Sequence, residues 1–217
     1  MTFLKTNLGQ RIASALILAP IAIEAVYLGG LWLALLAGVA MVIMMWEWQR
    51  LCIRRPKWLA FGAFYLIIPC VALVWLRLLP ESGLWHVIWL FGIIWTADSG
   101  AYFTGRTFGG PKLAPRISPN KTISGAIGGL VCAMLMSTAL GYFLQVPLLP
   151  MALWGGVLAV ASIIGDLLES AIKRHFGIKD SSSIIPGHGG VLDRLDSLLT
   201  TAPVLALLAL LGLSPLL

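Results

Sequence analysis

The residues best suited to chemistry lie between positions 166 and 196, where acids, cations and glycines interrupt an apolar chain. Asp193 and Asp196 are three residues apart at the start of an apolar run, so on a helix they share one face. Together with Asp166 they can offer hard oxygen ligands to a divalent cation. Magnesium fits best, because no soft ligand accompanies them. The alternative is that Asp193 and Asp196 only cap a helix N-terminus.

A glycine-rich loop, PGHGG at 186–190, precedes these aspartates. Its glycines let backbone N–H groups approach a ligand closely, and the positive end of the following helix dipole faces the same place. His188 can donate a hydrogen bond to phosphate, act as a general acid or be an ordinary loop imidazole, and the sequence leaves all three roles open.

Two more polar segments accompany the loop. In GDLLESAIKR, residues 165–174, Asp166, Ser170 and Lys173 are spaced four and three apart, which places them on one stripe of a helix. The alternative for this acid and lysine is a simple intrahelical ion pair. The other segment, 98–121, is rich in Gly, Pro and Ser, which predicts a loop rather than a continuous helix. Its cations can be membrane anchors, but their position beside Ser118 favours phosphate contact.

The acidic residues are unevenly distributed along the chain. Glu24, Glu47 and Glu81 precede residue 97, and the other six acids follow it. A charge at the centre of a bilayer costs about 2.5–3.5 kcal/mol, so Asp98 and Asp166, near the ends of apolar runs, must face protein, water or a metal ion. Glu24 and Glu47 also lie near the ends of apolar runs, and for them an interfacial position is at least as well supported as a chemical role. The chemistry is therefore expected in the second half of the chain.

The composition excludes an ordinary water-soluble domain. Of the 217 residues, 59% are hydrophobic and only 11% are charged, about half the usual share. The net charge of +6 comes from cations too few and too separated for nucleic acid, so they are expected to face anionic lipid and phosphate. The three cysteines are an odd number with wide spacing, which indicates neither a disulfide framework nor a zinc site.

Apolar runs of roughly 20 residues predict an all-α fold, a polytopic membrane helical bundle with about seven transmembrane helices. The predicted spans are 12–28, 31–48, 58–77, 84–103, 123–144, 149–171 and 198–214. They form a single integral membrane domain, with a transmembrane region over 1–96 and a catalytic membrane region with cytoplasm-facing loops over 97–217. With the N-terminus in the cytoplasm, every Lys and Arg except Arg77 lies on the cytoplasmic side, as the positive-inside rule requires.

A longer pattern is similar to a known family. Residues 170–196, SAIKRHFGIKDSSSIIPGHGGVLDRLD, resemble the signature of the phosphatidate cytidylyltransferases, also called CDP-diacylglycerol synthases. So many fixed polar positions make this match far more specific than a lone glycine motif. The resemblance extends upstream to ADSGAY at 97–102, KLAP at 112–115, ISPNKT at 117–122 and GDL at 165–167. Ser124 departs from it, since such proteins often carry Glu or Gln there.

The resemblance implies an integral protein of a bacterial-type inner membrane whose active site faces the cytoplasm. The implied reaction transfers the cytidylyl group of CTP to phosphatidate, giving CDP-diacylglycerol and pyrophosphate. The implied cofactor is Mg²⁺, and a second cation such as K⁺ is compatible with the family. The expected partners are CTP, phosphatidate and the lipid bilayer, with no nucleic acid; the family also suggests a homodimer.

Carried over residue by residue, the resemblance makes Asp166 and Asp193 metal ligands and Asp196 a ligand or an orienting group. It places Lys173 among the catalytic residues, on phosphate oxygens. The residues implied to bind CTP or phosphate are Ser118, Lys121, Arg174, Lys179, Gly187, His188, Gly189, Gly190, Arg194 and Asp98.

Two other functions compete with this one. A CTP-dependent lipid kinase acting on polyprenol would transfer the γ-phosphoryl group instead and release CDP. An ion-coupled transporter would place acids near the bilayer midplane, in paired broken helices. The acids of this chain lie at one end of their runs, which disfavours the transporter.

Overall fold

The computed structural model of the chain describes residues 7–53, 55–187 and 189–217. Within these ranges the protein forms seven α-helices and one short antiparallel hairpin, which confirms the all-α prediction. The helices are α1 (Asn7–Leu28), α2 (Gly30–Leu51), α3 (Pro56–Arg77), α4 (Gly83–Phe108), α5 (Ile123–Leu144), α6 (Leu148–His175) and α7 (Leu192–Leu210). The strands β1 (Lys112–Ala114) and β2 (Ser118–Thr122) pair between α4 and α5.

Each predicted span corresponds to one helix, with differences at the ends. Helix α7 begins six residues before the predicted start at 198. Its first turns contain the polar residues Asp193 and Asp196, which a search for apolar runs does not include. Among the described residues, α2, α3, α5 and α6 are long and apolar enough to cross a membrane. The number of spans and the cytoplasmic N-terminus stay predictions.

The segment 98–121 is more ordered than the predicted loop. Helix α4 continues through residue 108, and Gly109 and Gly110 then end it with backbone φ angles of 59° and 95°. Such left-handed angles favour glycine, which explains where this helix stops. Residues 112–122 form the hairpin, so the loop prediction is wrong for 104–108 and for the two strands, whereas residues 98–103 are helical as the predicted span 84–103 requires.

Apolar side chains cover both the interior and the outside of the bundle. Trp89, Leu90 and Ile93 of α4 are fully buried in a core shared with Leu158 of α6 and Leu205 of α7. Large apolar side chains are also exposed on the outer faces of several helices, including Leu16, Phe64, Leu135, Phe143 and Leu149. Exposed apolar surface of this extent is typical of a face that contacts lipid.

Glycines bring α4 and α5 into close backbone contact. A methyl group on Gly125 would lie 2.8 Å from the carbonyl oxygen of Ala101, and one on Gly129 would lie 2.6 Å from that of Ala97. Small residues at helix contacts are a common device in membrane bundles, because they let backbones approach closely. The contact fixes the part of α4 that carries Asp98.

A single glycine has the same role between α6 and α7. A methyl group on Gly165 would lie 2.7 Å from the carbonyl oxygen of Asp196 and would also overlap the Thr200 hydroxyl. Thr200 Oγ1 donates a hydrogen bond of 2.7 Å to the carbonyl of Ala161 across the same contact. Since Asp166 follows Gly165 directly, this close approach brings Asp166 towards Asp196.

We expect Gly165→Ala to lower the midpoint of thermal unfolding in detergent, because an added methyl group must push α6 away from α7. Overpacking of this kind costs about 1–3 kcal/mol. Gly38→Ala is the matched control, since an added methyl there meets no atom within 4 Å. Alanine also favours the helix, so the control midpoint should stay level or rise slightly. Equal midpoints for both variants would contradict the tight contact.

Candidate active site

The three polar segments identified in the sequence meet at one end of the bundle. Lys121 of β2 forms an ion pair with Asp166 of α6, and Arg174 of α6 donates from Nε to the carbonyl of Ile117 at 3.4 Å. Arg174 Nη1 also donates to the carbonyl of Ile178 at 2.9 Å. The hairpin, the end of α6 and the loop before α7 therefore form one polar face.

Three carboxylates of this face lie within electrostatic reach of one another. Asp98 of α4 interacts with Asp166 and with Lys121, while Asp196 of α7 interacts with both Asp98 and Asp166. When the three acids are ionised, Lys121 compensates one of the three negative charges. The cluster therefore attracts further positive charge.

Lys173 is held between two other acids. Its Nζ lies 2.8 Å from Asp193 Oδ1 and 2.7 Å from Glu169 Oε2, the latter one helical turn away on α6. Only 11% of the Lys173 side chain is exposed, so this ion-pair network is screened little by solvent. The alternative of an intrahelical ion pair thus applies to Lys173 with Glu169 as its partner instead of Asp166, and Asp193 of α7 is a second partner.

Asp193 accepts hydrogen bonds from several groups of the protein. Besides Lys173, the donors are the backbone N–H and hydroxyl of Ser181, at 2.9 and 3.0 Å, and the backbone N–H of Gly190, at 2.9 Å. Asp193 thereby closes the loop 181–190 onto the first turn of α7, as the capping alternative predicts. Its assignment as a metal ligand stays a prediction.

The two aspartates of α7 differ in their environments. Both precede residue 198, where the predicted seventh span begins. Burial by itself raises the pKa of Asp193, but hydrogen bonds from Lys173, Gly190 and Ser181 more than offset it, so the net pKa lies below its ordinary value. Burial, together with the negative charge of Asp166, raises the pKa of Asp196 to about 7. A nearby cation would therefore favour the charged form of Asp196.

Sequence reasoning missed Glu169, which pairs with Lys173, and a second carboxylate of this region. For Glu47, near the end of α2, the sequence supported an interfacial position at least as well as a chemical role, yet its side chain is fully buried and accepts hydrogen bonds from Ser182, Val191 and Leu192. The only available signal was an acid one residue before the end of the predicted span 31–48. The sequence did not indicate that residues 135 or more positions away would provide its donors.

Part of the glycine loop forms hydrogen bonds with other groups of the protein. The Gly190 N–H is bound by Asp193, and the Gly189 carbonyl accepts a hydrogen bond of 2.9 Å from the Ile185 N–H. Gly187 and Gly189 have φ angles of 76° and 87°, which explains the need for glycine at both positions. His188 lies outside the described residues, so the prediction for its imidazole stays open.

The remaining predicted contacts lie around the same face. Ser118 begins β2 and is half-buried opposite Ala114, while the side chains of Lys179 and Arg194 are exposed. Ser124 donates from its hydroxyl to the Gly109 carbonyl, so this departure from the family pattern still holds the end of α4 against the start of α5. Phosphate binding by these residues stays a prediction.

The donor set suits a hard divalent cation in charge and atom type. Asp98, Asp166 and Asp196 supply carboxylate oxygens, the ligands that Mg²⁺ prefers, and when all three are ionised their negative charge exceeds the single positive charge of Lys121. Among the described residues, no three His, Cys, Asp or Glu side chains already lie close enough together to hold a metal ion. A bound cation would therefore have to draw these carboxylates together or bring water ligands with it.

Comparison with known proteins shows which family the chain belongs to. Residues 53–211, most of the chain, match the model of the cytidylyltransferase family. The chain belongs to this family. The matched stretch begins just after α2 and includes the hairpin, the end of α6 and the start of α7.

Several bacterial members named phosphatidate cytidylyltransferase are similar to this chain. The protein of Rickettsia bellii (strain RML369-C) is 38% identical over 213 residues, covering 93% of this chain and 90% of that protein. The protein of Brucella suis biovar 1 (strain 1330) is 42% identical over 178 residues, covering 80% and 63%. That of Staphylococcus aureus (strain COL) is 46% identical over 130 residues, covering 59% and 50%. The chain thus spans 63% of the Brucella relative and nearly all of the Rickettsia relative.

We expect Asp193→Asn to abolish the activity of this family member while the protein still inserts into membranes. An amide offers one acceptor oxygen, and its NH₂ group would face the N–H donors that now bind the carboxylate. Losing a charged hydrogen-bond partner of this kind costs about 1.5–3 kcal/mol, and a lost metal ligand would add to it. The measurement is turnover of purified protein in detergent.

Glu81→Gln is the control, because Glu81 is exposed between α3 and α4 and lies outside residues 170–196. Its turnover should remain near that of the unmodified protein. Full turnover of Asp193→Asn at saturating magnesium would disprove a ligand role for Asp193.

Proposed function

We propose that this protein transfers the cytidylyl group of CTP to phosphatidate, releasing pyrophosphate and forming CDP-diacylglycerol. The observation that carries the proposal is that carboxylates and cations from α4, β2, α6 and α7 meet at one end of an apolar bundle. The similarity to proteins named phosphatidate cytidylyltransferase supplies the substrates.

The chemistry needs charge control more than a strong base. The attacking oxygen belongs to a phosphate monoester that is already ionised at neutral pH, so no protein group has to remove its proton. The barrier is the approach of two polyanions, and positioning with electrostatic stabilisation lowers it. A face that combines buried acids with lysines and arginines suits this task.

The cationic side chains have different proposed roles in charge control, according to where they lie. Lys121 projects from the hairpin and Arg174 from the end of α6, where both can hold phosphate oxygens of the nucleotide. Lys173 lies deeper, between Glu169 and Asp193, so its charge first stabilises the acids around it. Lys179 and Arg194 are exposed and can guide CTP from water to the site.

Magnesium is the cofactor that fits the acids. Asp166 and Asp196, with Asp98 nearby, would hold the cation, and Asp193 would either join them or keep the loop in place. A bound Mg²⁺ would neutralise phosphate charge and align the reacting groups. A second cation such as K⁺ is compatible with the remaining negative charge of the cluster.

The position of the site at the end of the bundle suits a lipid substrate. Phosphatidate can keep its acyl chains in the leaflet while its headgroup reaches the polar face, and CTP can enter from water. We place this face in the cytoplasm, at the inner membrane of a bacterial cell, because the cations gather there. A homodimer stays a further expectation.

The reaction is tested with purified protein, phosphatidate, Mg²⁺ and CTP labelled either on the α-phosphate or on the γ-phosphate, and a parallel assay replaces phosphatidate with polyprenol. We expect the α-label to enter lipid and the γ-label to leave as pyrophosphate. A lipid kinase would give the reverse pattern, with γ-label in the lipid and α-label in CDP. Label that remains wholly in water-soluble compounds would reject both reactions.

The orientation is tested with one introduced cysteine. We expect Ser183→Cys, at an exposed position of the loop before α7, to react with a membrane-impermeant maleimide only from the cytoplasmic side. The native Cys52, Cys70 and Cys132 are replaced beforehand, so that the label reports a single site. Reaction from the outer side alone would reverse the proposed orientation.

A further inference from the structure

Glu47 of α2 joins an early helix to the loop that precedes α7. Its Oε1 accepts a hydrogen bond of 2.5 Å from the Ser182 hydroxyl and one of 3.0 Å from the Val191 N–H. Its Oε2 accepts one of 2.8 Å from the Leu192 N–H. The side chain is fully buried, so water does not compete for these contacts.

The surrounding backbone is shaped to this carboxylate. A methyl group on Gly190 would lie 2.5 Å from Glu47 Oε1 and would also overlap the Ser181 hydroxyl, so no larger residue fits there without movement. The N–H groups of Val191 and Leu192 lie where α7 begins and have no partner within the helix. A negative charge at a helix N-terminus is favourable, and here it comes from another helix.

We propose that Glu47 is a positioning residue for the catalytic acids of α7, and this rests on the proposed function. By fixing the N–H groups of residues 191 and 192, Glu47 sets the start of α7, and therefore the places of Asp193 and Asp196. By holding Ser182, it also fixes the neighbour of Ser181, whose N–H and hydroxyl bind Asp193. One buried side chain thus anchors both ends of the loop 182–191.

The proposal extends the site beyond the part of the chain that matches the family. The matched stretch starts at residue 53, whereas Glu47 lies before it on α2. The preceding helices would then contribute to catalysis as well as to anchoring in the membrane. Glu47 acts through α7 and the loop and is not proposed to touch substrate.

Glu47→Gln removes the charge and keeps the shape of the side chain. One of the two acceptor oxygens is replaced by an NH₂ group, which donates and does not accept. The one remaining oxygen cannot accept hydrogen bonds from Ser182, Val191 and Leu192 at the same time. We expect kcat/KM for CTP to fall roughly 10- to 100-fold, the equivalent of one charged hydrogen bond. KM for phosphatidate should stay within about twofold, because the lipid does not contact this residue.

Two further variants complete the kinetic test. Glu24→Gln is the matched control, since Glu24 is exposed on α1, and its kinetics should equal those of the unmodified protein. Ser182→Ala removes one of the three hydrogen bonds and should lower kcat/KM less than Glu47→Gln does. In the double variant the two effects should not add, because both act through the same contact.

Hydrogen exchange gives a readout that does not depend on activity. In Glu47→Gln we expect faster exchange of the amides of Val191 and Leu192, while amides of α5, residues 123–144, keep their protection. Faster exchange throughout the bundle would mean general destabilisation and would count against a local positioning role.

The possible outcomes separate this proposal from the proposed function. Wild-type protein that transfers no label rejects the function, while exchange at Val191 and Leu192 still tests the Glu47 contact. Glu47→Gln with wild-type kinetics and exchange overturns the positioning role. Should Glu47→Gln fail to accumulate in the membrane, Ser182→Ala decides, and a kcat/KM within about twofold of wild type overturns the proposal.

Discussion

The structure depends on the partners that two buried carboxylates, Asp193 and Glu47, find at the end of an apolar bundle. An unpaired buried charge is costly, and donors or a cation surround both of these acids. Asp193 is held by Lys173, Ser181 and Gly190, and Glu47 by Ser182 and two backbone N–H groups. These contacts set the path of the loop 181–191 and the point at which α7 begins.

Close helix contacts make this arrangement of charges possible. Gly125 and Gly129 let α5 approach the part of α4 that carries Asp98, and Gly165 lets α6 approach α7 beside Asp196. Larger residues would separate these backbones and move the acids apart. The glycines of the helices and the acids of the polar face are therefore linked, because the close backbones bring like charges together, and a bound cation would reduce their mutual repulsion.

The N–H groups at the start of α7 bind carboxylates of the protein itself, and this bears on how a phosphate would be recognised. A helix N-terminus after a glycine loop is a natural anion site, but the N–H groups of residues 190–192 already bind the carboxylates of Asp193 and Glu47. In the proposed reaction, recognition of the nucleotide would then fall mainly to cationic side chains such as Lys121 and Arg174. The protein's own acids occupy the position that a phosphate takes in other helix-terminus sites.

The sequence by itself determined the helical class, the approximate ends of all seven helices and the segments that meet at the polar face. It could do so because hydrophobic run length sets helix length, and because the fixed polar positions of 170–196 lie close together along the chain. Only the tertiary structure decided which acid meets which donor. The partners of Glu47 lie 135 to 145 residues away, and Lys121 reaches Asp166 from a hairpin that looked like a loop. Such pairings depend on how closely glycines let the helices pack, a distance in space that local spacing along the chain does not encode.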